Sequence, residues 1–272
     1  MIIKTHAIVL NIWPFSESSH IVSWLTADHG KIATIIKGAQ RPRNIFLGQY
    51  DLFYTCELLF YLRLFQGLHI VKECAPLNPR PAFRSYWPGT ACASYFAGLT
   101  AKTAPFHAPQ KTLYVLLEAA LDFFAKEQNL ATGLFWFELK LLGALGYAPR
   151  LDACIQCHRP LATTGGASER GPAAINFSAA RGGALCGKCA GQNRKTSDPI
   201  APDSLALLRF WQSSRNIHAI RNVACSQRQI RDVGIILGSF LQHHLETENT
   251  GREAAFSILR AHRRLSTQPL KI

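Results

Sequence analysis

Short runs of apolar or alternating residues fill the first quarter of the chain. They fall at 7–10, 21–26, 31–37, 52–62 and 68–73. Alternation with period two marks half-buried strands. Pro14, the serines of 16–19, Asp28-His29-Gly30 and Gly38 separate the runs. Asp28-His29-Gly30 is a turn signal, because glycine readily supplies the positive φ of a tight hairpin. Five strands with no long helix fit a small closed barrel of the OB-fold type. An SH3-like barrel would give a similar pattern.

The period then changes. Pro76, Pro79 and Pro81 remove amide donors and fix φ, so this stretch reads as a linker. Residues 82–147 read as helical. Leu113, Leu116, Leu117, Ala120, Leu121 and Phe124 recur at helical spacing. A second helix over 134–145 stops at Gly146, with Pro149 just beyond. Residues 150–197 are rich in Gly and Ala and poor in large apolar side chains. Such a segment cannot build a core of its own, the situation in which a metal replaces one. Helices return afterwards. Asp203 can cap a helix over 204–213. Ser226 and Gln229 form a Ser-x-x-Gln capping box before 230–245, and 252–265 is a last, basic helix. The expected architecture is α+β: an N-terminal OB-fold β-barrel followed by a helical domain with an inserted four-cysteine zinc module. The expected divisions are 1–79 (barrel, DNA binding), 80–150 (helical, first part), 151–197 (zinc module) and 198–272 (helical, second part).

Composition narrows the class. At 48% hydrophobic the chain can bury an ordinary core. The most apolar stretches, 114–124 and 234–241, fall short of the roughly 20 residues a spanning helix needs. The first residues lack the signature of a signal peptide. The expectation is a cytoplasmic protein with no membrane partner. Charge points further: 30 Lys and Arg against 17 Asp and Glu leave +13. Basic residues outnumber acidic ones in each of the four segments, so the folded body itself is basic. Such a surface favours a polyanion, since each phosphate contact releases condensed counterions.

Of 8 cysteines, four form Cys154-Ile-Gln-Cys157 and Cys186-Gly-Lys-Cys189. A two-residue spacer lets both sulfurs of a pair turn onto one ion, and zinc takes four tetrahedral thiolates readily. Gly187 and Gly182-Gly183 relax the second knuckle. Lys188 and Arg159 help hold thiolates ionised. One structural Zn2+ per chain is expected. An iron–sulfur cluster, which also takes four cysteines, is the weaker alternative. Four ligands close the site, so zinc hydrolysis is not expected. Cys56, Cys74, Cys92 and Cys225 are expected to be small buried hydrophobes.

Two motifs imitate chemistry. Gly182 to Lys188 matches the start of a phosphate-binding loop, but Cys189 stands where Ser or Thr must hold magnesium. His244-Leu-Glu246 resembles a deaminase motif, but there the cysteine pair follows, whereas both pairs here precede. No catalytic residues are assigned, and a binding protein is expected, not an enzyme. For nucleic acid the candidates are Lys31, Lys37, Arg41, Arg43, Arg63 and Lys72, with Trp13, Phe15, Phe46 and Tyr50 as stacking groups. Arg228, Arg231, Arg260, Arg263 and Arg264 are candidates for contact with DNA or with an acidic protein tail.

The order of these features resembles the RecO family of bacterial recombination mediators. Pro14-Phe15-Ser16-Glu17-Ser18 resembles its early turn, and Thr26 to Lys31 its second hairpin. Ile36-Lys37-Gly38-Ala39-Gln40-Arg41-Pro42-Arg43 resembles the family's Lys-Gly-x-x-Arg-Pro loop. The passage from 141–149 into Cys154-x-x-Cys157 and Cys186-x-x-Cys189 resembles the members that keep zinc. Gln40 departs from the family, where a basic residue is common. The resemblance implies binding of single- and double-stranded DNA and annealing of complementary strands. It implies partnership with RecR and RecF, docking on the acidic C-terminal tail of single-stranded-DNA-binding protein, and loading of RecA on gapped DNA. A zinc-ribbon RNA- or ribosome-associated protein is the alternative. A metal-dependent nuclease or deaminase is a third reading, opposed by the closed site.

Overall fold

The computed structural model describes all residues except 64–66, 128, 163–174, 193–195, 221–222 and 268–272. The chain separates into two compact units, Met1–Glu127 and Gln128–Ile272.

In the first unit, strands β1 (Ile2–Ser16), β2 (Ser19–Thr26), β3 (Gly30–Ile36), β4 (Thr55–Tyr61) and β5 (His69–Asn78) close into a barrel of order β1-β2-β3-β5-β4. β3 and β5 pair in parallel, at Thr34↔His69 and Ile35↔Ile70, while the other pairings are antiparallel. This order, with its parallel closure, is the OB-type barrel. Alternate residues point inward, so Val9, Val22, Trp24, Ile36, Leu58, Phe60 and Val71 meet in one core. The Trp24 indole N–H donates to Thr34 Oγ1 at 2.8 Å, which satisfies the polar tip of a buried ring.

Two strands run well beyond the expected runs. β1 extends to Ser16 through bulges near Asn11 and Phe15. β5 continues through Pro76 to Asn78, so the first proline of the expected linker lies within a strand. This is tolerated because the parallel partner of β5 ends at Ile70, leaving that edge open where proline lacks its donor.

Helices α1 (Trp87–Thr103) and α2 (Lys111–Lys126) complete the unit. Arg80 joins them to the barrel. It is 4% exposed and has a left-handed backbone (φ 42). Its guanidinium donates to Phe53 O at 2.7 Å and Thr55 Oγ1 at 3.0 Å, and pairs with Asp122 of α2 at 2.6 Å. The segment after α1 seats against β3. Lys31 N–H donates to Pro105 O and His107 N–H to Lys31 O, at 3.3 and 3.0 Å.

The second unit contains α3 (Leu130–Ala144), β6 (Ile175–Ser178), β7 (Gly183–Cys186), α4 (Gly187–Gly191), β8 (Asp198–Ile200), α5 (Pro202–Ser213), α6 (Gln227–Leu245) and α7 (Thr250–Thr267). Gly146 ends α3 with φ +85. Ser226 and Gln229 form the capping box of α6. Asp203 is not the cap of α5. Pro202 starts that helix and Ala201 is its N-cap, which leaves the Asp203 carboxylate for Arg228 and Gln229. The core of this unit encloses one ion pair. Glu138 of α3 has no exposed surface and receives Arg252 of α7 through both oxygens, at 2.6 and 3.0 Å. Arg252 also donates to Gly234 O of α6 at 2.9 Å.

Gly30 is required at the β2–β3 turn. Its φ is +66, and an added Cβ would lie 2.0 Å from Ala108 O. Gly30→Ala is expected to destabilise the protein by about 3 kcal/mol, from left-handed strain and a backbone clash, read as a lowered urea midpoint.

Candidate metal centre and nucleic-acid interface

The cysteine cluster is assembled from two tight turns. In the first, His158 N–H returns to Cys154 O and Cys154 N–H donates to Arg159 O, both at 2.9 Å. In the second, Cys186 ends β7 and Cys189 lies in the short helix α4. Main-chain bonds join the turns, with Ile155 N–H donating to Ala184 O at 3.0 Å. Gly183 is packed so closely on Arg150 O that a Cβ would lie 2.3 Å away. The four sulfurs lie within 4.8 Å of one another. Cys157 and Cys186 Sγ stand 3.7 Å apart. A tetrahedral ion with metal–sulfur bonds of about 2.3 Å sets its sulfurs about 3.8 Å apart. Four soft donors at this separation fit a metal ion.

The electrostatics agree. Burial raises the Cys154 thiol, but amide N–H groups of Cys157, Cys186 and Gln156 outweigh it and hold the thiol well below its ordinary value. Burial, with the neighbouring thiols of Cys186, Cys157 and Cys154, pushes Cys189 up. Four thiolates this close repel one another unless a cation sits among them.

The module is fastened at two places. Arg209 of α5 donates to Leu151 O at 2.6 Å and Leu161 O at 2.9 Å. His244 Nε2 lies 2.9 Å from Ala179 O, and Phe177 packs on Phe240 with ring centroids 5.7 Å apart. His244, which resembled a deaminase residue, is thus a packing residue of α6.

The expected nucleic-acid residues divide into two groups. Lys37, Arg41, Arg43 and Arg63 are exposed. Lys72 is exposed and paired with Glu73 at 3.1 Å. Lys31 corrects the expectation. It is only 8% exposed; its ammonium donates to Ala101 O at the end of α1 and lies 4.2 Å from the centre of the Phe106 ring. Burial lowers its pKa, and it holds α1 and the following segment against β3, out of reach of phosphate. Among the rings, Trp13 and Phe15 stand exposed near the β1–β2 turn. Phe46 is in the barrel core, and Tyr50 packs against it. Gln40, which the sequence marks only as a departure, ties the basic loop to that hairpin. Its N–H donates to Ser18 O at 3.1 Å, and its side chain to Ser16 O and Ser19 O.

In the second unit, α6 and α7 border a groove. Ile230, Ile235 and Phe256 line it, with Arg231 and Arg260 among its charged residues. A second hollow, sharing Ile230, Phe256 and Arg260, adds Arg263 and Arg264. Arg228 stands apart, held between Asp203 and Asp232. The individual arginines are visible in the sequence, but their shared apolar floor is not, because it combines two helices. No described helix is long and apolar enough to cross a membrane.

Comparison with known proteins agrees with this architecture. The family model described as recombination protein O, N terminal, matches residues 1–80, and the C-terminal one matches 85–253. The DNA repair protein RecO of Anaeromyxobacter dehalogenans is 31% identical over 244 residues, covering 89% of this chain and 91% of that protein. That of Syntrophus aciditrophicus is 28% identical over 251 residues, covering 90% and 92%. A five-stranded barrel, a helical unit with a four-cysteine cluster and matches along nearly the whole length place this chain in the RecO family of DNA repair proteins.

Proposed function

We propose that the protein is a recombination mediator that binds single- and double-stranded DNA, anneals complementary strands and, with RecR, helps load RecA on gapped DNA. The observation that carries this reading is the barrel surface on which Gln40 joins the Lys37, Arg41 and Arg43 loop to the exposed Trp13 and Phe15 hairpin. Cations for phosphates beside flat rings for bases are what a single-strand binder needs. A net charge of +13 lowers the repulsion between two approaching strands. The role is one of binding and bringing together, not of catalysis.

Zinc is the ion we assign to Cys154, Cys157, Cys186 and Cys189. When bound it holds the two knuckles together without acting on substrate. The groove between α6 and α7 suits the acidic, apolar-ended tail of single-stranded-DNA-binding protein. Ile230, Ile235 and Phe256 would receive the apolar end, and Arg231 and Arg260 the carboxylates. RecF is a further partner of the same pathway.

Strand annealing tests the function directly. Complementary labelled oligonucleotides, pre-coated with single-stranded-DNA-binding protein, are expected to form duplex faster when the protein is added without ATP. DNA affinity is expected to fall steeply with salt, as counterion release demands. No acceleration of annealing at any salt concentration, with preference for structured RNA, would favour the RNA-associated alternative. For the groove, Arg260→Glu is expected to weaken a fluorescent tail peptide about tenfold or more by placing like charges together. Binding at the unaltered affinity would remove the groove from the mechanism. Metal analysis is expected to find zinc at about one per chain. A strong chelator, or acid that protonates the thiolates, is expected to release it, with four thiols becoming reactive and the 150–200 module losing hydrogen-exchange protection while the barrel retains it.

A further inference from the structure

Two thiols of the barrel take no part in the sites described above. Cys56 of β4 has no exposed surface, and Cys74 of β5 is 8% exposed. Both belong to the barrel core. In the β4–β5 register Cys56 faces Pro76 and Leu58 faces Cys74. The cysteines are therefore diagonal neighbours, beside a register shift between Thr55 and Cys56. Both thiols donate to one acceptor, the main-chain carbonyl of Gln49, at 3.6 and 3.5 Å. They also lie within hydrogen-bonding reach of each other. That contact first, and burial second, hold the Cys56 proton well above its ordinary range, and the Arg80 guanidinium only partly offsets them.

Gln49 lies in the segment between β3 and β4. Its N–H bonds to Phe46 O at 3.0 Å, and Phe46 packs in the core. Among the described residues, the donors to its carbonyl are these two thiols, so they fasten the segment to β4 and β5. The two cysteines differ in access. Cys74 lines a hollow of about 250 Å³ with Phe46 and Gln49, and Cys56 does not. At about 30 Å³ per water, that space admits several small polar molecules. Its carboxylates, Glu57 and Glu73, are answered by Lys4 and Lys72 at 2.9 and 3.1 Å. A thiolate at Cys74 thus meets no unanswered negative charge there.

We propose that Cys74 and Cys56 are a peroxide-reactive pair, with Cys74 the nucleophile, Cys56 the resolving thiol and the Gln49 segment the element they release. The oxidant is a small hydroperoxide. The Cys74 sulfur, as thiolate, attacks its terminal oxygen. The O–O bond breaks, the departing oxygen takes a proton and leaves as alcohol or water, and Cys74 becomes a sulfenic acid. The Cys56 sulfur then attacks Cys74, its proton goes to the leaving hydroxyl, and water departs. Two thiols and one hydroperoxide give one disulfide, one alcohol and one water, and two electrons pass from sulfur to oxygen. A disulfide needs Cβ atoms about 3.8 Å apart, closer than diagonal neighbours on a ladder ordinarily stand. Its closure draws β4 and β5 together at the register shift and removes both donors from Gln49 O. The segment that begins with Lys37, Arg41 and Arg43 then loses its far anchor. The reaction does not depend on the DNA-binding reading.

Peptide mapping of the full chain after graded hydrogen peroxide, with free thiols alkylated under denaturing conditions, tests this. The expected product is a Cys56–Cys74 linked pair of peptides, two hydrogens lighter and separated again by dithiothreitol. Cys56→Ser is expected to leave Cys74 as a sulfenic acid that dimedone traps, and Cys74→Ser to leave Cys56 a free thiol. Amide exchange over 44–50 is expected to quicken about tenfold in the oxidised unaltered chain, as local opening becomes easier, and in neither variant. The pair is overturned if both cysteines remain free thiols after the exposed Cys157 has been oxidised. It is also overturned if Cys74 reaches the sulfinic acid with Cys56 unlinked. Unchanged exchange over 44–50 in a linked chain overturns the release of the segment. The map of the unaltered chain decides the first point even where a variant fails to fold.

Discussion

A carboxylate with no access to water must be answered by a cation, and in the second unit Glu138 is answered by Arg252. The pair joins residues 114 positions apart. Arg252 also reaches the Gly234 carbonyl, so one guanidinium fixes α3, α6 and α7 together. Removing one partner of such a buried pair commonly costs about 3–5 kcal/mol, because the other charge is left stranded. The α6–α7 groove depends on this arrangement. Arg252 lies in its wall, and Gly238 is packed so near that a Cβ would meet its Nη1 at 2.8 Å. The arginine-bearing groove is thus built upon a carboxylate that is already satisfied.

The cysteine module follows a different rule. Its described sheet has three strands, of four, four and three residues. So little structure buries too little apolar surface to hold itself, and a metal ion bound by the four sulfurs would supply what the core lacks. Arg209, Phe177 and His244 then transmit that order to α5 and α6. A metal held by these four sulfurs would act as a structural member.

The sequence was most legible where the cause is local. The Cys-x-x-Cys spacing, the Ser226–Gln229 cap and the alternating strands each carry their reason within a few residues. The closure of the barrel does not. β3 and β5 share a parallel pairing of two register positions, which leaves no local trace. Lys31 reads as an exposed cation because its chain neighbours alternate correctly. Its burial is decided by Ala101 and Phe106, far along the chain. Asp203 fits a capping pattern, yet Pro202 starts the helix one residue earlier. Gln40 looks like a lost charge until its three carbonyl partners are seen. The α6–α7 groove was legible only as separate arginines, since its floor exists only when two helices meet.

Lys31 carries one more consequence, for the order in which the chain becomes a protein during synthesis. Its ammonium finds its acceptor seventy positions later, and its main chain is paired by Pro105 and His107. A nascent chain emerging as far as residue 80 has all five strands, but this lysine has nothing to donate to and the side of β3 next to it remains unpaired. The barrel can collapse at that moment without being finished. Its final strand edge is sealed only when the loop beyond α1 has left the ribosome, so the interval between those two events is when the nascent protein is most open to mispairing.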